Sequence, residues 1–84
     1  MVEAIVKSKN GIHARPASMI ADISSKYQGE INLYKGDKKY NGKSIMSIMS
    51  MGLQEAEQVK IEAIGDQSEQ MELKIKEIID HITD

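Results

Sequence analysis

The sequence predicts an α/β fold of the α+β type, an open-faced sandwich in which helices cover one face of a four-stranded antiparallel sheet. Four segments alternate apolar and polar residues, which is typical of strands with one core face. Segments with helical spacing of apolar residues separate and follow them, in the order β-α-β-β-α-β-α. Two long helices can cover only one side of such a sheet. With 84 residues, we expect a single domain spanning residues 1–84.

The first half of the chain predicts a strand, a long helix and a hairpin. Val2, Ala4 and Val6 share one face of the first strand. Gly29 ends the helix, and Gly36-Asp37 is typical of a tight hairpin turn. The predicted elements are a strand at residues 2–8, a loop at 9–13, a helix from Pro16 to Tyr27, and strands at 30–34 and 38–41.

The second half predicts a short helix, a fourth strand and a long helix. Ser44 precedes the apolar run 45–51 and Gly52 follows it, which favours a helix with Ser44 as N-cap, although seven residues also suit a strand. Residues 59–63 alternate as the fourth strand. Asp66 and Glu69 resemble a capping box. The last helix then carries an apolar stripe made of Met71, Ile75, Ile78, Ile79 and Ile82.

Composition excludes several classes of function. The formal net charge is -2, and ten lysines are dispersed among thirteen acids, which argues against direct binding of nucleic acid. The chain has no Cys, Trp or Phe, so disulfides, thiolate metal sites, a cysteine nucleophile and a base-stacking platform are not expected. No apolar run approaches the length of a membrane span or forms a signal peptide, so we expect a cytoplasmic protein without membrane insertion.

The segment from Gly11 to Ala17 is the most informative in the chain. It contains the only Arg (Arg15), the only Pro (Pro16) and one of two His residues. Proline favours the first turn of a helix, which places His13 at a helix N-terminus, where unpaired N–H groups and the dipole favour anions. The Arg15 guanidinium is a forked ligand for phosphate. These residues suit a histidine that accepts a phosphoryl group, whereas His13 without its neighbours would suggest an ordinary surface residue.

Methionine is concentrated around the short second helix. Apolar groups at positions 45–51 point to more than one side of a helix this short. We expect Ile45, together with Ile48 or Met49, to enter the core and the remainder to form an adaptable exposed patch. The alternative is that all of them are buried. His81, in the last helical turn, is interpreted as structural, and no metal site is predicted for it together with His13.

Two motifs together resemble a known family. Gly11-Ile12-His13-Ala14-Arg15-Pro16-Ala17 is followed, about thirty residues later, by Lys43-Ser44-Ile45-Met46 and Met49-Ser50-Met51-Gly52. These motifs resemble the HPr family, the histidine-containing phosphocarriers of the bacterial phosphoenolpyruvate:sugar phosphotransferase system. The similarity covers essentially the whole chain, including element order and loop positions. Each motif alone is moderately specific, but the pair in so short a chain is a strong signal.

The resemblance implies a phosphoryl carrier rather than an enzyme, with no cofactor or metal. His13 would accept a phosphoryl group from enzyme I, which phosphoenolpyruvate charges, and pass it to enzyme IIA domains of sugar permeases. Arg15 would stabilise the phosphate. Ser44 resembles the regulatory serine that the HPr kinase/phosphorylase phosphorylates. The seryl-phosphorylated form is a corepressor partner of a catabolite-control transcription factor. We expect a monomer whose docking residues are Ile12, Pro16, Ala17, Ile45, Met46, Met49 and Met51.

Three departures from the family pattern lie in the segment expected to dock partners. Ser47 stands where the family commonly has Gly, Met51 where it has Leu, and Gly42 is rare at its position. Two alternatives therefore stay open: a regulatory interaction module acting through phosphorylated Ser44, or a carrier in a nitrogen-type phosphorelay. The first would resemble the paralogue Crh, which lacks the histidine, whereas this chain has His13.

Overall fold

A computed structural model describes residues 1–82 of the chain. The seven elements follow the predicted order β-α-β-β-α-β-α. Four are strands and three are helices: β1 (Val2–Ile5), α1 (Ala14–Ser25), β2 (Gly29–Lys35), β3 (Lys38–Asn41), α2 (Ile45–Ser50), β4 (Gln58–Gly65) and α3 (Ser68–His81). Within the described residues, no helix has the length and apolar character needed to cross a bilayer.

The four strands form one antiparallel sheet in the order β1-β4-β2-β3. The register pairs Ala4 with Val59 and Leu33 with Ile61. The apolar residues of the sheet and the inner faces of α1 and α3 form one buried cluster. Because β1 and β4 are antiparallel and each is followed by a helix that returns over the sheet, α1 and α3 run antiparallel to each other. The predicted open-faced sandwich is confirmed.

The uncovered face of the sheet carries a polar cluster. The Tyr34 hydroxyl donates to Oε1 of Glu62 at 2.8 Å, and the side-chain amide of Asn32 donates to the same oxygen at 3.1 Å. These two hydrogen bonds lower the pKa of Glu62 from its ordinary value, and the bond from Tyr34 has the larger effect. On the covered face, the buried carboxylate of Glu72 accepts the backbone N–H of Ala63 at 2.8 Å, which ties α3 to β4.

Three predicted boundaries are corrected. β1 ends at Ile5 rather than at residue 8, because Val6 bonds to the turn before β4: its N–H donates to Glu57 O at 2.9 Å. α1 occupies Ala14–Ser25 rather than residues 16–27. The capping box is wrong, because α3 begins at Ser68 and its N-cap is Gln67, which has φ 55 and makes no side-chain capping bond.

Candidate functional site

The loop before α1 rests directly on the backbone before β4. Gly11 has φ +66, and a Cβ added there would overlap the carbonyl oxygen of Leu53. The next residue, Ile12, donates its N–H to that same oxygen at 3.1 Å and buries its side chain. On the other side, the N–H of Gly11 donates to Ser8 O at 3.1 Å. Glycine at position 11 therefore permits the close approach that fixes the loop leading to His13.

The turn that supports this loop, residues 54–57, is held by the side chain of Glu57. The backbone N–H of Gln54 donates to Oε1 of Glu57 at 2.8 Å, and Lys35 Nζ lies 3.4 Å from the same carboxylate. The hydrogen bond from Gln54, and then that from Lys35, lowers the pKa of Glu57. Ala56 has φ 74, a left-handed conformation unfavourable for a residue with a Cβ, and donates its N–H to Val6 O at 2.7 Å.

His13 is the N-cap residue of α1. Its backbone is extended (φ -97, ψ -167), and its carbonyl accepts the N–H of Ala17 at 3.0 Å. The imidazole makes no capping bond to the helix and is half-buried. Arg15 is exposed in the first turn, and Pro16 at the third helical position contributes no N–H. With no acid in that turn, the helix terminus is an electropositive site with an imidazole and a guanidinium at its mouth.

Ser44 occupies the equivalent place on α2 in a different way. It is the N-cap residue, half-buried, and its Oγ accepts the N–H of Ser47 at 3.1 Å. Its backbone N–H donates to Asn41 O at 3.2 Å, and its carbonyl accepts the N–H of Ile48 at 3.0 Å. The structure therefore confirms the short helix and the capping serine, and excludes the strand for residues 45–50.

A cleft of about 390 Å³ separates α1 from α2 beside Ser44. Lys43 and Asp22 both line it. Lys43 Nζ donates to the carbonyl oxygen of Tyr27 at 2.7 Å, just beyond the end of α1, so this lysine bridges the two helices. The sequence interpretation missed Asp22, although its helical spacing from Ser18 and Ser25 puts all three on one polar face of α1.

The predicted docking surface divides into exposed and buried residues. Met46 is 82% exposed, and Met49 and Ile45 are 44% and 43% exposed. The expectation that Ile45, with Ile48 or Met49, enters the core is therefore wrong for Ile45, and the residue of this helix that does so is Ile48. The three exposed side chains of Ile45, Met46 and Met49 are called the α2 patch below.

Four of the residues assigned to docking are corrected because they belong to the core: Ile12, Pro16, Ala17 and Met51. Pro16 and Ala17 lie in the first turn of α1 on its sheet-facing side, and Met51 turns inward immediately after α2. An apolar residue next to a functional residue in the sequence is buried when helical geometry points its side chain toward the sheet.

The three departures from the family pattern have local structural roles. Ser47 accepts the backbone N–H of Asn41 through its Oγ at 2.9 Å, which ties α2 to the end of β3. A Cβ at Gly42 would overlap the side chain of Ile31, whose carbonyl accepts the Gly42 N–H at 2.8 Å. Met51 fills the core. None of the three alters the exposed α2 patch directly.

His81 lies on the other side of α1 from Ser44. Its Nδ1 is 2.7 Å from the carbonyl oxygen of Glu77, and it lines a groove that also includes Arg15. In residues 1–82, no group of three or more His, Cys, Asp or Glu side chains is placed to hold a metal ion.

Comparison with known proteins agrees with this fold. The sequence model of the family described as "PTS HPr component phosphorylation site" matches residues 2–81. Phosphocarrier protein HPr of Mycoplasma capricolum is 38% identical over 74 residues, which cover 88% of this chain and 83% of that protein.

Two solved structures extend the comparison to three dimensions. HPr of Thermoanaerobacter tengcongensis is 39% identical, with a TM-score of 0.86 over 94% of this chain and 89% of that one. Crh of Bacillus subtilis, a catabolite repression protein described as a domain-swapped dimer, is 26% identical, with a TM-score of 0.77 over 99% of this chain and 95% of that one.

The fold is that of the HPr phosphocarriers, which are non-catalytic carriers in the phosphotransferase system. The chain belongs to the HPr family of phosphocarrier proteins. Membership implies protein partners of that system, such as enzyme I and enzyme IIA.

Proposed function

We propose that this chain carries a phosphoryl group on His13, taken from phosphorylated enzyme I and passed to enzyme IIA domains of sugar permeases. The observation that carries the proposal is the geometry of the start of α1. The imidazole stands at the helix terminus without capping it, and Arg15 follows two positions later in the same turn. The bacterial cytoplasm, where these partners act, is the proposed location.

The chemistry is the in-line transfer of a phosphoryl group from a nucleophilic atom of the donor protein to a ring nitrogen of His13. An unprotonated ring nitrogen of His13 attacks phosphorus, the new N–P bond forms, and the bond to the donor breaks with its electron pair returning to the donor. The dianionic product lies near the N-terminal amides of α1 and the guanidinium of Arg15. Transfer to enzyme IIA is the same step with His13 as the leaving group.

The α2 patch is the proposed contact surface for these partners. Ile45, Met46 and Met49 are exposed on a short helix, and methionine adapts to differently shaped partners because its side chain is unbranched and flexible. An exposed apolar cluster of this kind is a feature of binding surfaces rather than of inert ones.

We further propose that Ser44 is the regulatory phosphorylation site, used by an HPr kinase/phosphorylase, and that the phosphorylated form binds a catabolite-control transcription factor. Its hydroxyl is half-buried and caps α2, and a phosphate at a helix N-terminus can accept the same N–H. The added charge would lie beside Ile45 and Met46 and in the cleft that contains Asp22. Phosphorylation is therefore expected to weaken apolar docking without unfolding the helix.

The test is intact-mass spectrometry after incubation with phosphoenolpyruvate and a purified enzyme I. We expect an acid-labile gain of one phosphoryl group in the wild type and none in His13→Ala. Arg15→Ala should slow the gain by roughly ten- to a thousandfold, as loss of a charge-stabilising group does, while Arg15→Lys loses less. An unchanged rate in Arg15→Ala would remove Arg15 from the mechanism.

The same assay separates the carrier from a purely regulatory module. Acid-stable labelling of Ser44 by ATP and the kinase, with no labelling of His13 by enzyme I, would overturn the carrier proposal. A nitrogen-type phosphorelay would be recognised by transfer from His13 to the corresponding enzyme IIA and not to sugar-specific ones.

A further inference from the structure

The six methionines of the chain divide into an exposed set and a buried set. Because the chain has no Cys, the methionine thioethers are its only sulfur groups. Met51 and Met71 are buried in the core. The exposed methionines are Met46 (82%), Met1 (62%), Met19 (46%) and Met49 (44%). An oxidant in solution therefore reaches this second set directly, and Met46 is the most open to it.

Two of the exposed methionines lie together in the α2 patch. Met46 and Met49 are three residues apart on α2, so their side chains are neighbours on the surface of the helix. The third member of the patch, Ile45, precedes Met49 by about one helical turn. Two of the three apolar side chains of the patch therefore carry an oxidisable sulfur.

The other two exposed methionines lie away from this patch. α2 packs against α1 and β3, and β3 is an edge strand of the sheet. Met1 directly precedes β1, which is the strand at the opposite edge. Met19 lines the groove between α1 and α3, whereas Met46 lines the cleft between α1 and α2. Met1 and Met19 therefore serve as internal references for oxidation outside the patch.

We propose that Met46 and Met49 form a peroxide-sensitive modification site that controls docking at the α2 patch. The docking part rests on the proposed function, which assigns enzyme I to this patch. A lone pair of the thioether sulfur attacks one oxygen of hydrogen peroxide, the S–O bond forms and the O–O bond breaks. The transferred oxygen gives its proton to the departing hydroxide, which leaves as water. The methionine is thereby oxidised by two electrons to the sulfoxide, and the peroxide is reduced.

Oxidation replaces an apolar side chain by a polar one without reaching the core. The sulfoxide oxygen is a hydrogen-bond acceptor, so covering it with an apolar partner surface costs desolvation free energy that the thioether does not. The buried residue of α2 is Ile48, and the buried Met51 follows the helix. Oxidation of Met46 and Met49 therefore leaves the fold intact and removes apolar contacts from the patch.

The first experiment measures selectivity on protein that is isotope-labelled in the methionine methyl groups and treated with hydrogen peroxide at neutral pH. Each methyl NMR signal gives one oxidation rate, and single Met→Leu variants assign the signals. We expect Met46 to react fastest, and both patch methionines to react roughly tenfold or more faster than Met51 and Met71. Equal rates at the patch and in the core would overturn the proposal.

The second experiment measures docking as the Kd for unphosphorylated enzyme I, after catalase has removed the peroxide. We expect oxidation to weaken binding by the wild type roughly tenfold, as partial loss of one apolar anchor does. Each variant is compared with its own untreated form. The Kd of Met46→Leu/Met49→Leu should be the same before and after treatment, whereas Met19→Leu, the matched control, should lose as much affinity as the wild type.

Reversal identifies the sulfoxide as the cause. Methionine sulfoxide reductases for both sulfur epimers should restore the Kd of the oxidised wild type. Unchanged binding by the oxidised wild type, an equal loss in Met46→Leu/Met49→Leu, or a loss that the reductases do not reverse would each overturn the proposal.

The outcomes for this site and for the carrier function are separable. Binding of enzyme I requires no phosphoryl transfer. A chain that binds enzyme I but gains no phosphoryl group on His13 would refute the carrier proposal and leave the oxidation site standing. A chain that accepts the phosphoryl group equally fast and binds equally well before and after oxidation would leave the carrier function standing and refute the oxidation site.

Discussion

The starts of α1 and α2 differ in whether the N-cap side chain bonds to the backbone N–H groups of its own helix. At α2, Ser44 accepts the N–H of Ser47 and satisfies the helix end itself. At α1, His13 has the same extended backbone but makes no capping bond. At α1 the N-cap side chain does not occupy the helix amides, whereas at α2 it accepts one of them and holds the start of the helix together.

This difference indicates what each residue can do without a structural cost. A group added to His13 displaces no side-chain capping bond of α1, which suits the proposed cycle in which this side chain is phosphorylated and restored. A group added to Ser44 must take over the capping bond. The lysine before it already binds Tyr27 O at 2.7 Å, which keeps α2 docked while that replacement occurs.

The largest effect is expected where the α1 loop depends on glycine. Gly11→Ala should lower the free energy of unfolding by more than about 2 kcal/mol, because alanine meets both the left-handed φ and the carbonyl of Leu53. Gly36→Ala is the control: it has a similar φ of +60 with nothing within 4 Å of the added Cβ, and should cost only about 1 kcal/mol. Urea denaturation measures both; equal losses would show that the contact with Leu53 does not matter.

Removing each N-cap side chain tests the difference in capping between α1 and α2. Ser44→Ala should destabilise the protein by about 1 kcal/mol, the usual cost of a lost cap, and Ser44→Asp should recover most of it. His13→Ala should cost less than Ser44→Ala because the imidazole makes no capping bond to α1. Thermal unfolding monitored by circular dichroism gives the values. A larger loss at His13 than at Ser44 would reverse the comparison.

A smaller gain is expected at the turn that supports the α1 loop. Ala56 has φ 74, so Ala56→Gly relieves left-handed strain and loses part of that gain to the greater freedom of the unfolded chain. We expect the protein to become more stable by about 0.5 kcal/mol, measured as a shift in the denaturation midpoint. A destabilised variant would show that the alanine methyl group makes a contact worth more than the strain.

The smallest effect concerns pH and the two lowered carboxylates. Glu57 and Glu62 have folded-state pKa values below the ordinary 4.5, so both stabilise the protein above about pH 4.5 and lose that contribution as the pH falls through their folded values. Glu57→Gln should therefore flatten the acid limb of the stability profile, and Glu62→Gln should do the same. An acid limb unchanged in both variants would assign the loss of stability to other groups.

The sequence was sufficient for the element order, for Ser44 as the N-cap of α2 and for the position of His13 near the start of α1, because those depend on local patterns and on Pro16, Ser44 and the glycines. It failed where a neighbour distant in the chain decides the outcome. The position of Ile12 depends on Leu53, whose carbonyl accepts the Ile12 N–H.

The docking surface was the least predictable part of the site. On a helix of six residues, periodicity does not decide which of Ile45, Ile48 and Met49 face inward; the packing of α2 against α1 and β3 does. The groove between α1 and α3 was also invisible in the sequence, since its walls come from residues some sixty positions apart.

The pairing of β1 with β4 sets how much of the chain must be synthesised before the loop of His13 is held in place. Residues 2–5 have their partners at residues 58–61, and the turn before β4 also holds the loop of His13 through Leu53. A nascent chain that has only its first fifty residues outside the ribosome therefore contains the histidine but not the backbone that positions it. The proposed phosphoryl site is therefore held in place only after residues 53–61 have been synthesised.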